Sequence, residues 1–88
     1  MAKYKVLYRK SAVKSIDKLP VNYLKLIRKH IIDLSENPYM HGAIALKGYD
    51  AVYRLRVGRY RIIYQVVEEE ITIIIIDVPK RDDRTYKE

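Results

Sequence analysis

The chain has 88 residues, 49% of them apolar, with a formal net charge of +7 and no cysteine. That length supports one small domain over residues 1–88, and the apolar content excludes a disordered chain. Without cysteine there is no disulfide framework, zinc–thiolate site or thiol nucleophile, and a pI near 9.7 favours polyanionic partners over neutral ones.

Residues 4–8, Tyr-Lys-Val-Leu-Tyr, read as a first strand. The first twenty residues hold Lys3, Lys5, Arg9 and Lys10 without a long apolar core, so no signal peptide is expected and a cytoplasmic location is. Ser11 reads as a helix N-cap. Ala12, Ile16 and Leu19 follow at helical spacing, and Pro20 marks the end. A second helix is predicted over residues 22–35, where Leu24, Ile27, Ile31 and Leu34 make one apolar stripe. Asn37-Pro38 stops it. Residues 39–48 read as a loop with a short strand at 43–46.

Three strands are then predicted at about 52–57, 60–67 and 71–78, with Glu68-Glu69-Glu70 as a solvated turn. The last strand is apolar on both faces, which suits a central position. Its Ile73–Ile76 run is far shorter than the ~20 residues of a spanning helix, so no membrane partner is expected. The tail, residues 80–88, is polar. Two helices followed by mostly hairpin-linked strands predict an α+β fold: helices on one face of a roughly five-stranded, mostly antiparallel sheet, the other face open.

Gly58-Arg59 separates two alternating segments, the signature of a type II′ hairpin. That turn sets Val57 opposite Tyr60, Arg56 opposite Arg61, Leu55 opposite Ile62, Arg54 opposite Ile63 and Tyr53 opposite Tyr64. Alternation then puts Arg54, Arg56 and Arg61 on one face and Tyr53, Leu55, Ile62 and Tyr64 on the other. Directly opposed like charges destabilise a sheet. Three guanidiniums on one face therefore point to a bound anion, and phosphate matches their planar fork of donors. The same residues also fit a solvated sheet face.

The order strand, two helices, Leu46-Lys47-Gly48, Tyr-Arg-Leu-Arg, Tyr-Arg-Ile-Ile-Tyr-Gln-Val and a final β run ending in Lys-Arg…Tyr resembles the RelE/ParE toxin superfamily. Its closest branch is the RelE group of mRNA-cleaving toxins. The resemblance covers nearly the whole chain; the block from Gly58 to Val67 and the tail from Arg81 to Tyr86 carry it most specifically. It implies a fold similar to small microbial ribonucleases and cleavage of mRNA in the ribosomal A site. It also implies neutralisation by an acidic, RelB-like antitoxin, with no cofactor and no metal.

By that resemblance Arg54 and Arg56 match the two basic positions before the hairpin, and Arg61 the arginine of the Gly-Tyr-Arg block. Arg81 matches the basic residue after the last strand, and Tyr86 the tail tyrosine. The implied chemistry is attack of a 2′-OH on the adjacent phosphate, which needs in-line geometry, charge stabilisation and proton transfer. Where this chain has Arg56, the best-known relatives have a lysine resembling a general base. An arginine keeps its proton to above about pH 12, so Tyr86, the substrate phosphate or a ribosomal group stand as the alternatives. Lys80, Arg81 and Arg84 also fit a basic tail paired with Asp82 and Asp83, and Tyr86 a packing anchor. Two other functions share these features: a ParE-like gyrase inhibitor, and a non-catalytic RNA- or protein-binding module.

Overall fold

The computed structural model describes residues 3–80. Five strands form one sheet in the order β1-β5-β4-β3-β2. They are β1 (Lys5–Tyr8), β2 (Ile44–Ala45), β3 (Val52–Val57), β4 (Tyr60–Val67) and β5 (Thr72–Asp77). β1 runs parallel to β5, and every other pairing is antiparallel. The α+β architecture is the one expected, and β5, with its Ile73–Ile76 run apolar on both faces, is an interior strand flanked by β1 and β4.

Helices α1 (Lys10–Asp17) and α2 (Val21–Glu36) cover one face. The core lies beneath them: Ala12 from α1, and Ile27, Ile31 and Leu34 from α2. These meet Leu55, Val57, Tyr60, Ile62, Tyr64, Val66, Ile73 and Ile75 from the sheet. The α2 stripe behaves as its spacing requires, with Ile27 and Leu34 fully buried.

Two expectations change. Ser11 is not an N-cap: α1 starts at Lys10, its N-cap is Arg9, and no side chain caps it. The reason lies in the sheet. The β4–β5 register shifts between Ile63, opposite Asp77, and Tyr64, opposite Ile75, so Ile76 is an extra residue in a bulge. A bulge takes a carbonyl out of the ladder, and the Ser11 hydroxyl donates to the Ile76 carbonyl at 2.5 Å instead.

The second change concerns the Glu68–Glu70 turn. It forms a 3₁₀ turn, and Glu68 is more than a solvated charge. The Tyr4 hydroxyl donates to one of its carboxylate oxygens at 2.9 Å, and the Tyr39 hydroxyl donates to the other. These bonds hold the Glu68 carboxyl below its ordinary range and push both tyrosines up. The start of β1, the loop after α2 and the β4–β5 connection are thereby tied at one point.

Candidate active site

The hairpin forms as the Gly-Arg signal requires. Gly58 has φ +59° and Arg59 is not left-handed, as a type II′ turn demands. Gly58 has a second reason to lack a side chain: an added Cβ would stand 2.7 Å from the Tyr23 hydroxyl oxygen. The Arg59 backbone N–H donates to that oxygen at 3.3 Å, and the Tyr23 ring meets Tyr60 edge-on at 4.7 Å. Tyr23 thus braces the turn from α2. No motif in the sequence singles it out, although its place four residues before Ile27 puts it on the apolar stripe.

The β3–β4 register is Tyr53 to Tyr64, Arg54 to Ile63, Leu55 to Ile62, Arg56 to Arg61 and Val57 to Tyr60. Every expected pair forms. Arg54, Arg56 and Arg61 consequently share the face turned away from the helices. Arg56 and Arg61 stand directly opposite each other, and Arg54 is one step along the same face.

That face is not simply open. Leu46, Val52 and Ile63 form a second small cluster on it, with Ile76 packed against them. β2 pairs with β3 there, setting Ile44 beside Arg54. Arg54 is therefore buried, at 8% exposure, while Arg61 is half-buried and Arg56 exposed. The Nε atoms of Arg54 and Arg61 are buried, and each of the three arginines takes part in a polar or electrostatic contact. Burial of the stem fixes where a guanidinium can point. A charge already held in place needs little reorganisation when negative charge develops beside it. β2 pairs only with Tyr53 and Arg54, so this short strand ends before reaching Arg56 and leaves it in solvent.

Arg81 and Tyr86 lie outside the described residues. What precedes them is described. The Arg61 backbone N–H donates to the Pro79 carbonyl at 2.9 Å, and Lys80 bridges to Tyr60. The chain leaving β5 thus runs alongside the start of β4, next to Arg61. His30 is on α2 and its Nδ1 is 2.8 Å from the Leu26 carbonyl oxygen; His41 is in the exposed loop after α2. Neither belongs to the arginine face.

Two helices on one side of a five-stranded, mostly antiparallel sheet is a fold shared with known toxins of toxin–antitoxin complexes. A family model described as the ParE toxin of the type II toxin–antitoxin system parDE matches residues 6–84. The protein designated RelE1 in Methanocaldococcus jannaschii is 34% identical over 83 residues, covering 91% of this chain and 92% of that protein. The mRNA interferase toxin RelE of Escherichia coli K12 is 32% identical over 73 residues, covering 81% of this chain and 76% of that protein. The crystal structure of the archaeal RelE–RelB complex from Pyrococcus horikoshii OT3 is similar with a TM-score of 0.80 at 28% identity, covering 91% of this chain and 97% of that one. The chain belongs to the RelE/ParE superfamily of type II toxins.

Proposed function

We propose that this toxin is a ribosome-dependent endoribonuclease that cuts mRNA in the A site and so stops translation in the cytoplasm. The observation that carries the reading is the directly opposed Arg56–Arg61 pair beside the buried Arg54. Guanidiniums gathered on one sheet face present planar forks of donors that match a phosphate. The mRNA interferase name of the E. coli relative supports RNA as the source of that anion.

The reaction is an internal transfer. The 2′ oxygen of one nucleotide attacks the adjacent phosphorus and gives up its proton. The bond from phosphorus to the 5′ oxygen breaks, and that oxygen takes up a proton. The products are a 2′,3′-cyclic phosphate and a 5′-hydroxyl, with no water consumed. In this reading Arg54 anchors the strand by its phosphate. Arg61 and Arg81 bear the charge that develops on the scissile phosphate, Arg56 orients it from the exposed side, and Tyr86 stacks on a base. Arg56 is unsuited to be the base, so the proton leaves to Tyr86, to the substrate phosphate or to a ribosomal group. The partner in the resting state is an acidic antitoxin of the RelB kind; the P. horikoshii relative is found in complex with RelB.

A gyrase-inhibiting reading is favoured by the ParE description of the family model. One pair of assays separates the two. Purified toxin is added to ribosomes programmed with a defined mRNA, and separately to gyrase and relaxed plasmid. Cleavage with a 2′,3′-cyclic phosphate end, and normal supercoiling, are expected. Blocked supercoiling with intact mRNA would replace the proposed function by the gyrase reading.

A further inference from the structure

Outside the arginine face, α1 carries a row of positive charge, with Asp17 as its one carboxylate. Lys10, Lys14 and Lys18 follow one another at four-residue steps, all exposed. Like charges at that spacing weaken a helix. Lys10 opens the helix, where the dipole disfavours a cation, and the first turn has no acidic residue to offset it. Among the described residues, none of the three lysines is ion-paired.

The row ends in a cleft. Lys18 at the end of α1 and Lys80 on the chain leaving β5 both line an opening of about 380 Å³, together with Ser15, Tyr60 and Pro79. Two cations from different elements thus share one concave space. Asp77 accepts the Ser15 hydroxyl at 2.5 Å and the Val78 N–H at 2.8 Å, and it does not line the cleft. The cleft lies on the helix side of the sheet, opposite the arginine face, and the two come nearest at the start of β4, where the Arg61 N–H donates to the Pro79 carbonyl and Lys80 bridges to Tyr60.

We propose that this cleft is a second RNA-backbone subsite, in which Lys18 and Lys80 hold a phosphodiester of the strand cut beside Arg61 where that strand passes round the start of β4, while Lys10 and Lys14 guide it beyond. The inference rests on the RNA-cleaving reading above. Lysine suits the task because an ammonium on a flexible stem is a point charge that meets a phosphate from many directions. Such an interaction positions the strand without reading its bases, so the subsite adds affinity and register and leaves sequence preference unchanged.

The test uses the full chain and ribosomes programmed with an mRNA carrying a 2′-deoxy sugar at the cut position, which binds but cannot be cleaved. Kd is measured against salt, and kcat and KM on the cleavable mRNA. Lys18→Glu should raise Kd and KM by roughly tenfold or more and leave kcat within about twofold. It should lower the slope of log K against log salt by about 0.7, because one phosphate is no longer neutralised. Lys18→Arg should restore both values. Lys80→Gln, in a different element, should reproduce the shift and serves should Lys18→Glu melt early. Unchanged Kd and salt slope in folded variants would overturn the subsite. So would weakened binding confined to an acidic antitoxin peptide. Wild-type toxin that binds the uncleavable mRNA tightly but never cuts the cleavable one would sink the nuclease reading alone, and the slope difference would still decide the cleft.

Discussion

Arg61 and Glu68 show how differently two charged side chains on one strand and its connection are used. Arg61 is half-buried opposite Arg56, and in the proposed reaction it serves as a preorganised donor. Replacing it with alanine should cut mRNA cleavage by roughly 100- to 1000-fold, the usual loss for one such donor, while thermal stability changes little. Near-normal cleavage by that variant would remove Arg61 from the site. At Tyr86 the hydroxyl separates two roles: Tyr86→Phe should stay largely active if the ring stacks, and match Tyr86→Ala if the hydroxyl carries a proton. Glu68 acts on stability instead. Its folded pKa lies below the ordinary 4.5 because two tyrosine hydroxyls donate to the carboxylate, Tyr39 foremost. A depressed carboxyl stabilises the fold above its unfolded pKa, and that contribution fades as pH falls through the folded value. Tyr39→Phe should therefore flatten the fall of Tm below about pH 4.5. A Tm profile that is superimposable on wild type after subtraction of a constant would show that the hydroxyls do not hold Glu68.

At the scale of elements, the hairpin is the critical piece, because every arginine of the patch depends on its register. Gly58 meets two constraints at once, a left-handed φ and the Tyr23 hydroxyl oxygen 2.7 Å from where a Cβ would be. Gly58→Ala should destabilise by about 2 kcal/mol, combining conformational strain with displacement of the Tyr23 ring. The two parts separate in a cycle with Tyr23→Ala, where the clash vanishes and the φ strain stays. An additive cycle would show that Tyr23 gives way freely. The hairpin is legible in the sequence for a physical reason: a two-residue turn and strict alternation are local properties, readable from neighbours. Ser11 escapes a sequence reading for the opposite reason. Its hydroxyl fits an N-cap by local pattern, but its acceptor, the Ile76 carbonyl, is 65 residues away at a bulge that no local pattern announces.

For the whole molecule, the arginine face brings charge to a phosphate, and neither His30 nor His41 stands beside it to take a proton. In the proposed reading the toxin grips the strand by its phosphates, and the ribosome sets the sugar in line for attack. Naked RNA should be cut negligibly, and ribosome-bound mRNA efficiently; comparable rates on both would contradict the ribosome-dependent reading. A net charge of +7 also calls for a partner of opposite sign. An acidic antitoxin should protect the arginine face or the segment after Lys80 from chemical modification. An antitoxin complex that inhibits while leaving both regions reactive would exclude direct masking. No helix among the described residues is long and apolar enough to cross a membrane.

Local spacing alone determined the two helices, the three C-terminal strands, the hairpin register and the shared face of Arg54, Arg56 and Arg61. Each follows from a period of 3.6 or 2 and from the turn residues between runs. Tertiary structure decided the environment of those residues. The pairing of β1 with β5, the cluster of Leu46, Val52 and Ile63 that buries Arg54, and the meeting of Lys18 with Lys80 join segments far apart in the chain. Periodicity says which way a side chain points from its own backbone. It is silent on what another segment places there, and that neighbour decides whether an arginine is a solvated charge or a fixed one.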